Sequence, residues 1–272
     1  MQIPSTCSIV LYNSNFDLIL DIINKFLSEK NIFKIFLIDN SPHNTLQSLA
    51  IDGRVAYIYN PSNPGFGAAH NMAIQKAIVQ GSKYHFVVNP DIYFKEDVIA
   101  PMLNFIDKDK SIGMIMPQIL NADGTVQNLP KLLPSPLNIL LRKLKKPNFI
   151  YQPFIKKYEL RFVLQNQIYE APILSGCFTL LNLAAIQKIG MYDDHYFMYF
   201  EDWDLSRRMN QFFKTIYFPV VSVYHGYESG ANKNPRLFKI FVNSAITYFN
   251  KWGWFFDANR KKINKKTLAQ FS

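Results

Sequence analysis

The sequence predicts an α/β fold, with a mostly parallel central sheet flanked by helices and a C-terminal helical extension that is basic and aromatic. Three observations predict it. Short apolar runs alternate with segments of helical period from Cys7 to Met116. Several of those runs stop abruptly in Asn, Asp or Pro. The alternation breaks over 118–170, and an aromatic, Lys-rich segment closes the chain over 231–272. The boundaries that follow are a domain over 1–230, with 118–170 as an insertion or acceptor region, and a membrane-proximal helical segment with a basic tail over 231–272.

Residues 7–12 read as the first strand, ended by Asn13-Ser14-Asn15, a turn and helix-cap cluster. A helix follows over 17–28, with Leu18, Ile22, Ile23 and Phe26 at helical spacing. Strands over 34–38 and 55–59 end in Asp39-Asn40-Ser41-Pro42 and Asn60-Pro61. A helix spans 67–80. Phe86, Val87 and Val88 form a buried strand that Pro90 must end, because proline cannot continue a central strand. Glu96-Asp97 starts a helix running to 106, with its carboxylates at the positive end. Residues 112–116 are a fifth strand. Asn121 to Thr125 make a hairpin-like turn, and 137–146 a short amphipathic helix. Residues 173–181 resume the core as a strand, and 215–218 with 220–224 form a late strand pair.

The chain has 272 residues and a formal net charge of +10. Residues 131–161 carry eight Lys/Arg against one Glu, and 231–272 carry nine against one Asp, which leaves the rest at −5. Two basic patches on a mildly acidic core argue against a general nucleic-acid-binding surface. No apolar run reaches the roughly 18 residues that span a bilayer, and the N-terminus lacks a secretory pattern. Cys7 and Cys177 lack metal-ligand spacing and read as buried thiols in a reducing cytoplasm. The basic, amphipathic 137–146 segment suits a membrane surface or an anionic acceptor, or is an ordinary insertion helix with a solvated basic face. Trp, Tyr and Lys in 236–256 suit a membrane interface, or a helix packed on the domain and followed by a disordered tail.

In a parallel sheet the strand ends at Tyr12-Asn13, Asp39-Asn40 and Asn89-Pro90-Asp91 lie on one edge, where ligands of open α/β sheets bind. Asp91 there suits a divalent cation or a sugar hydroxyl, or simply an Asx-type turn. Gly65 and Gly67 let the backbone turn tightly, and the helix start behind them offers N–H groups to an anion such as a pyrophosphate. His70 breaks the dinucleotide-binding spacing, so a plain strand-to-helix turn fits as well. Glu201-Asp202, behind an aromatic run, stand at a helix start. Asp204 and Arg208, four apart, can pair, which leaves Glu201 or Asp202 to point into a site. His225, at a strand end, is a ligand candidate if Asp91 holds a metal.

Taken together, four ordered blocks resemble a bacterial inverting glycosyltransferase of family 2 with the GT-A fold. They are Tyr12-Asn13 after the first strand, the run from Asn63 to Asn71, Val88-Asn89-Pro90-Asp91, and Ser175-Gly176-Cys177-Phe178 followed by the run from Phe197 to Leu205. The likeness runs over 8–230 and is nearest to the rhamnosyltransferase-like group of O-antigen and capsule synthesis. It implies that Tyr12, Asn13 and Asp39 hold the base and ribose. Asn63, Gly65, Phe66, Gly67, Asn71, Asn89, Asp91 and Gly176 would line the donor pocket. Asn89-Pro90-Asp91 stands where the family has Asp-x-Asp, so Asp91, with His225, would hold Mg²⁺ or Mn²⁺. Asp202, beside Glu201, would be the catalytic base. The donor implied is dTDP-L-rhamnose, with a UDP-hexose as the alternative. The acceptor implied is an undecaprenyl-diphosphate-linked saccharide, met at the inner membrane face by a cytoplasmic, peripheral enzyme. A nucleotidyltransferase would want a basic loop after the first strand, and Asn13-Ser14-Asn15 supplies no cation. A non-catalytic sugar-nucleotide-binding scaffold at the membrane surface is the remaining alternative.

Overall fold

The computed structural model describes residues 2–226 and 234–272. The expected domain boundary at 230–231 lies outside the described residues. A nine-stranded sheet runs in the order β3-β2-β1-β4-β8-β6-β9-β5, with β7 also on β9. Its strands are β1 (Ser5–Leu11), β2 (Ile32–Asp39), β3 (Val55–Tyr59), β4 (Tyr84–Val88), β5 (Ile92–Tyr93), β6 (Ile112–Leu120), β7 (Tyr169–Glu170), β8 (Phe178–Asn182) and β9 (Lys214–His225). β3, β2, β1 and β4 are mutually parallel, and β6 is parallel to β9. β8 runs antiparallel between β4 and β6. Apolar periodicity gives a strand no direction, so the reversal was not readable beforehand.

The early helices follow from capping and spacing. In α1 (Phe16–Leu27), Asn15 accepts from the Leu18 amide at 3.1 Å, and Ile19, Ile22, Ile23 and Phe26 are buried. Burying each such side chain contributes about 1.5–3 kcal/mol. α2 (Phe66–Val79) buries Ala69, Ala73 and Ala77, whose small side chains let it lie close on the sheet. α3 (Ile99–Lys108) begins later than expected. Glu96 stays outside it and accepts instead from the Ser222 amide and hydroxyl at 2.7 and 2.8 Å, fastening the chain to β9.

Beneath α2 runs a buried polar chain. Ser82 meets Thr6 at 3.1 Å, Thr6 meets His85 at 2.7 Å, and Ser8 meets both His85 and His70 at 2.7 Å. Burial pushes the His85 pKa down to about 3 and that of His70 well below its ordinary value. Both rings are neutral, and this constellation is enclosed in the core.

β9 is one strand rather than the expected pair. Its register against β6 slips at Pro219, because Pro117 faces Phe218 and Gln118 faces Ser222. Proline has no amide to donate there. Residues 173–177 are not strand, so Gly176 lies in the turn before β8. The insertion holds α4 (Pro136–Leu144), with a Ser135/Asn138 capping box, and α5 (Asn148–Tyr158), which the sequence reading missed. α6 (Leu183–Ile189) and α7 (Glu201–Met209) flank the 190s loop.

The C-terminal segment forms α8 (Pro235–Trp252) and α9 (Ala258–Leu268), so its basic tail is helical and docked rather than disordered. α7 clamps both helices. Buried Arg207 donates to both Asp257 oxygens at 2.7 and 2.8 Å and lies 4.2 Å from the Trp252 ring centre. Asp204 pairs with Arg208, as expected, at 2.8 Å, and also accepts from the Trp252 indole at 2.8 Å. Among the described residues, no helix is long and apolar enough to cross a membrane.

Candidate active site

A cavity of about 880 Å³ opens at the carboxyl edge of β4, between the sheet and the insertion. Asn89, Gly176, Cys177, Glu201, Asp202 and His225 all line it.

Local pairing assembles the Asn89–Asp91–His225 corner. β5 pairs antiparallel with the end of β9, setting Ile92 opposite His225 and Tyr93 opposite Tyr224. Those tyrosines stack at 4.8 Å, and the Gly226 amide donates to the Asp91 carbonyl at 3.0 Å. His225 Nε2 thereby lies 3.2 Å from both Asp91 Oδ1 and Asn89 Nδ2. Gln127 holds the other side of the histidine, 3.3 Å from Nδ1 and 3.0 Å from the carbonyl. Asn89 Oδ1 and Asp91 Oδ1 are buried without a hydrogen-bond donor. Two orphaned oxygens beside an imidazole nitrogen whose far side is already fixed are donors that Mg²⁺ or Mn²⁺ accepts.

The Glu201-Asp202 corner is positioned by backbone. Tyr199 and Phe200 are left-handed, with φ of 70° and 68°, which turns the chain sharply into α7. Phe200 is held there in a second core cluster with Trp203 and Tyr248. Asp202 accepts from the amides of Gly176 at 3.1 Å and Trp203 at 2.9 Å. The carbonyl of the neighbouring Cys177 accepts from the Asn89 amide at 2.8 Å, so one turn, 175–177, links both corners. Burial raises the carboxyl pKa of Glu201 well above its ordinary value, and the Asp202 charge adds to that. Burial raises Asp202 as well, but the Gly176 amide, Lys131 and the Trp203 amide oppose it. Glu201 Oε2 has no partner. Both carboxyls are thus raised, and the two amides and Lys131 favour the charged form of Asp202.

The glycine block packs against the 190s loop. Gly65 has φ 103°, and a Cβ there would overlap the Phe197 carbonyl oxygen. A Cβ on Gly67 would come within 2.8 Å of Tyr192 Cβ. The Asn71 amide donates to the Tyr192 carbonyl at 2.8 Å and accepts from the Tyr192 amide at 3.0 Å. The amide of Phe66 is likewise taken, by Phe197 O at 2.9 Å. The close approach is to the 190s loop, and the block positions the segment that delivers Asp202. Of this block, Phe66 reaches the cavity.

Asp39 is fully buried and accepts from the Ser41 amide at 2.9 Å and the Tyr57 hydroxyl at 2.5 Å. Ser41 in turn accepts from the Asn13 amide at 2.8 Å, so Asp39 shapes the loop that displays exposed Tyr12. Asn63 sits in the turn before α2 with φ 43°. Cys7 and Cys177 are free and buried. Asp193, Asp194 and His195 also gather, but at the surface of the 190s loop, where Asp193 is tied to Lys251 at 2.6 Å.

Sequence reasoning counted Lys131, Arg142, Lys143, Lys145, Glu159 and Arg161 as charge without placing them in a site. All line the cavity. Lys131 is 4% exposed. Burial and Arg142 push its pKa down to about 7, against the pull of Glu159 and Asp202. A lone lysine between Pro130 and Leu132-Leu133 was the available signal.

Two buried carboxylates, the Asn89–His225 strand edge and a cavity of about 880 Å³ come together here, and the chain belongs to glycosyl transferase family 2. The model of that family matches residues 6–190. The chain is 24% identical over 222 residues to the N-acetylglucosaminyl-diphospho-decaprenol L-rhamnosyltransferase of Mycobacterium tuberculosis, covering 77% of this chain and 71% of that one. It is 22% identical over 189 residues to the low-salt glycan biosynthesis hexosyltransferase Agl10 of Haloferax volcanii, covering 69% and 57%. GalNAc-T7, solved with UDP, GalNAc and Mn²⁺, superposes with TM-score 0.63 at 17% identity, over 90% of this chain and 48% of its own. Staphylococcus aureus TarS does so with TM-score 0.59 at 13% identity, over 98% and 42%. The chain thus spans about half the length of these solved structures, which share its GT-A fold.

Proposed function

We propose that the protein transfers L-rhamnose from dTDP-L-rhamnose to a hydroxyl of a sugar carried on a polyprenyl diphosphate, inverting the anomeric centre. The observation that carries this reading is Asp202, held by two backbone amides across the 175–177 turn from Asn89, Asp91 and His225. Asp202 takes the acceptor hydroxyl proton as that oxygen attacks the anomeric carbon. The bond from that carbon to the donor diphosphate breaks, and its electron pair leaves with the nucleoside diphosphate. A single displacement needs no enzyme nucleophile. Asn89, Asp91 and His225 would hold Mg²⁺ or Mn²⁺, which supplies positive charge to the departing diphosphate. Burial disfavours charge on Glu201, while two amides and Lys131 support it on Asp202.

The donor sugar and the diphospho-polyprenol acceptor are carried over from the mycobacterial relative's name. Exposed Leu137, Leu140 and Leu144 on α4, next to Lys145 and Lys146, favour a peripheral position on the inner face of the cell membrane, in surface-polysaccharide synthesis of the O-antigen or capsule type. The test is a panel of dTDP- and UDP-sugars with Mg²⁺ and Mn²⁺, read by thermal shift and by transfer to a synthetic prenyl-diphosphate sugar. A melting shift with dTDP-L-rhamnose and product formation are expected. Transfer from UDP-hexoses alone would replace the donor, and donor binding without transfer to any acceptor would leave a non-catalytic binding protein.

A further inference from the structure

A histidine offers a metal only the ring nitrogen that carries no proton. Which nitrogen of His225 that is decides whether it can serve the Asn89–Asp91 corner. The answer lies with Gln127, a buried residue just after the 121–125 turn. Its backbone is fixed on both sides. The Gln127 amide donates to the Ile119 carbonyl at 2.8 Å, and its carbonyl accepts from the Leu129 amide at 2.8 Å. Val126 beside it bridges Leu120, which pairs in turn with Tyr224. The Gln127 side chain is thereby brought to the ends of both β6 and β9.

Only one orientation of that side chain satisfies its neighbours. Nε2 donates to the His225 carbonyl at 3.0 Å and to the Leu120 carbonyl at 3.4 Å. Turned over, the group would set its oxygen against two carbonyl oxygens. Oε1 is left facing His225 Nδ1 at 3.3 Å, and an amide oxygen can only accept. Nδ1 therefore carries the proton, and a neutral imidazole has one to place. The lone pair falls to Nε2, 3.2 Å from Asn89 Nδ2 and 3.2 Å from Asp91 Oδ1. At Asn89 an NH₂ group meets a bare nitrogen, donor to acceptor. At Asp91 two lone-pair atoms stand side by side, as two ligands of one cation do.

We propose that Gln127 is a positioning residue for metal binding: it fixes the Nδ1–H tautomer and the ring plane of His225, so that Nε2 is presented bare beside Asp91. This deepens the reading that Asn89, Asp91 and His225 hold Mg²⁺ or Mn²⁺, and rests on it. Two main-chain carbonyls orient Gln127, and Gln127 orients the imidazole. The place of the proton on His225 is thus set by the backbone of β6 and β9. The segment 118–170 contributes to the metal edge without supplying a ligand.

Two measurements on the whole protein, without substrate, test this. Long-range proton–nitrogen spectra of protein carrying labelled histidine, at about pH 8, read the tautomer directly, and the His225 signal is identified by its loss in His225→Ala. The Nδ1–H form is expected in the native protein and in Gln127→Glu, which keeps an oxygen on Nδ1. In Gln127→Leu the two tautomers should mix. Titration with Mn²⁺, followed by electron paramagnetic resonance, should show affinity about 10–100-fold weaker in Gln127→Leu than in the native protein. A proton on Nε2 in the native protein would overturn the assignment, and that result needs no variant to fold. So would an unchanged tautomer in Gln127→Leu, or equal losses of affinity in both Gln127 variants, which any local disturbance would cause. If the tautomer behaves as described but the native protein binds no Mn²⁺, the metal reading fails and the hold of Gln127 on the ring stands. If Mn²⁺ binds, is lost in Asp91→Ala and binds as tightly to Gln127→Leu, the role of Gln127 fails alone.

Discussion

The strand-edge side of the cavity and the side built by 118–170 treat their polar groups in opposite ways. On the strand-edge side, side chains answer one another or the backbone. Asp39 is used by Ser41 and Tyr57, Asn71 by Tyr192, and His225 by Gln127. The oxygens left over, Asn89 Oδ1 and Asp91 Oδ1, are few and face one corner. On the insertion side, Lys131, Arg142, Lys143, Lys145 and Arg161 line the cavity with buried Glu159, and leucines remain outside. The first side fixes geometry, which an in-line displacement requires. The second supplies charge and apolar surface, which suit a ligand arriving from elsewhere.

Four expected outcomes would break or sharpen that contrast. The largest is at Asp202. Asp202→Asn should lower kcat by about 10²–10⁴-fold with donor affinity unchanged, measured by steady-state kinetics and donor titration. Undiminished turnover would remove the base. Next is the clamp behind the site. Arg207→Ala leaves Asp257 buried without its partner and should cost about 3–5 kcal/mol in urea unfolding. A loss below ~1 kcal/mol would mean that the C-terminal helices are not held through this pair.

The third outcome is a pH dependence that separates the two sides. His70 and His85, beneath α2, have folded pKa values below the unfolded value of about 6.5. Below that pH the unfolded chain binds protons that the buried rings refuse. Stability is therefore complete above about pH 6.5 and falls by about 1.4 kcal/mol per pH unit for each histidine, for His85 until its folded pKa of about 3. Glu159 is depressed instead, so its contribution is present above 4.5 and is lost only as the pH falls further. Urea midpoints between pH 7 and 5 should drop in the native protein and flatten in a His70→Gln/His85→Gln variant. A flat profile in the native protein would show that the histidines are not held neutral. The smallest effect is at the rim. Leu140→Ser should leave stability within about 0.5 kcal/mol, while sedimentation with anionic vesicles weakens. Unchanged sedimentation would take the leucines out of the membrane reading.

Legibility in the sequence followed the range of the interactions involved. The strand ending at Val88 and stopped by Pro90 could be read because proline and an apolar run act locally. So could the Asp204–Arg208 pair, which lies within one helical turn. The direction of β8 could not, because pleat and burial are alike in parallel and antiparallel neighbours. α5 was hidden by Pro153 in its interior. The partner of Asn71, Tyr192, is 121 residues away, beyond the reach of local pattern. Lys131 was lost in a charge count because burial, and not identity, makes it unusual.

The β5–β9 pairing bears on the order in which the protein becomes itself. Asn89 and His225 are 136 residues apart, and they meet only when the last strand is laid against a two-residue ribbon. Contacts so distant in sequence cost the most loop entropy and form slowly. The early strands can close on one another without creating the corner. Cation affinity would then serve as a late clock of folding, appearing with the final strand and absent from any intermediate that lacks it.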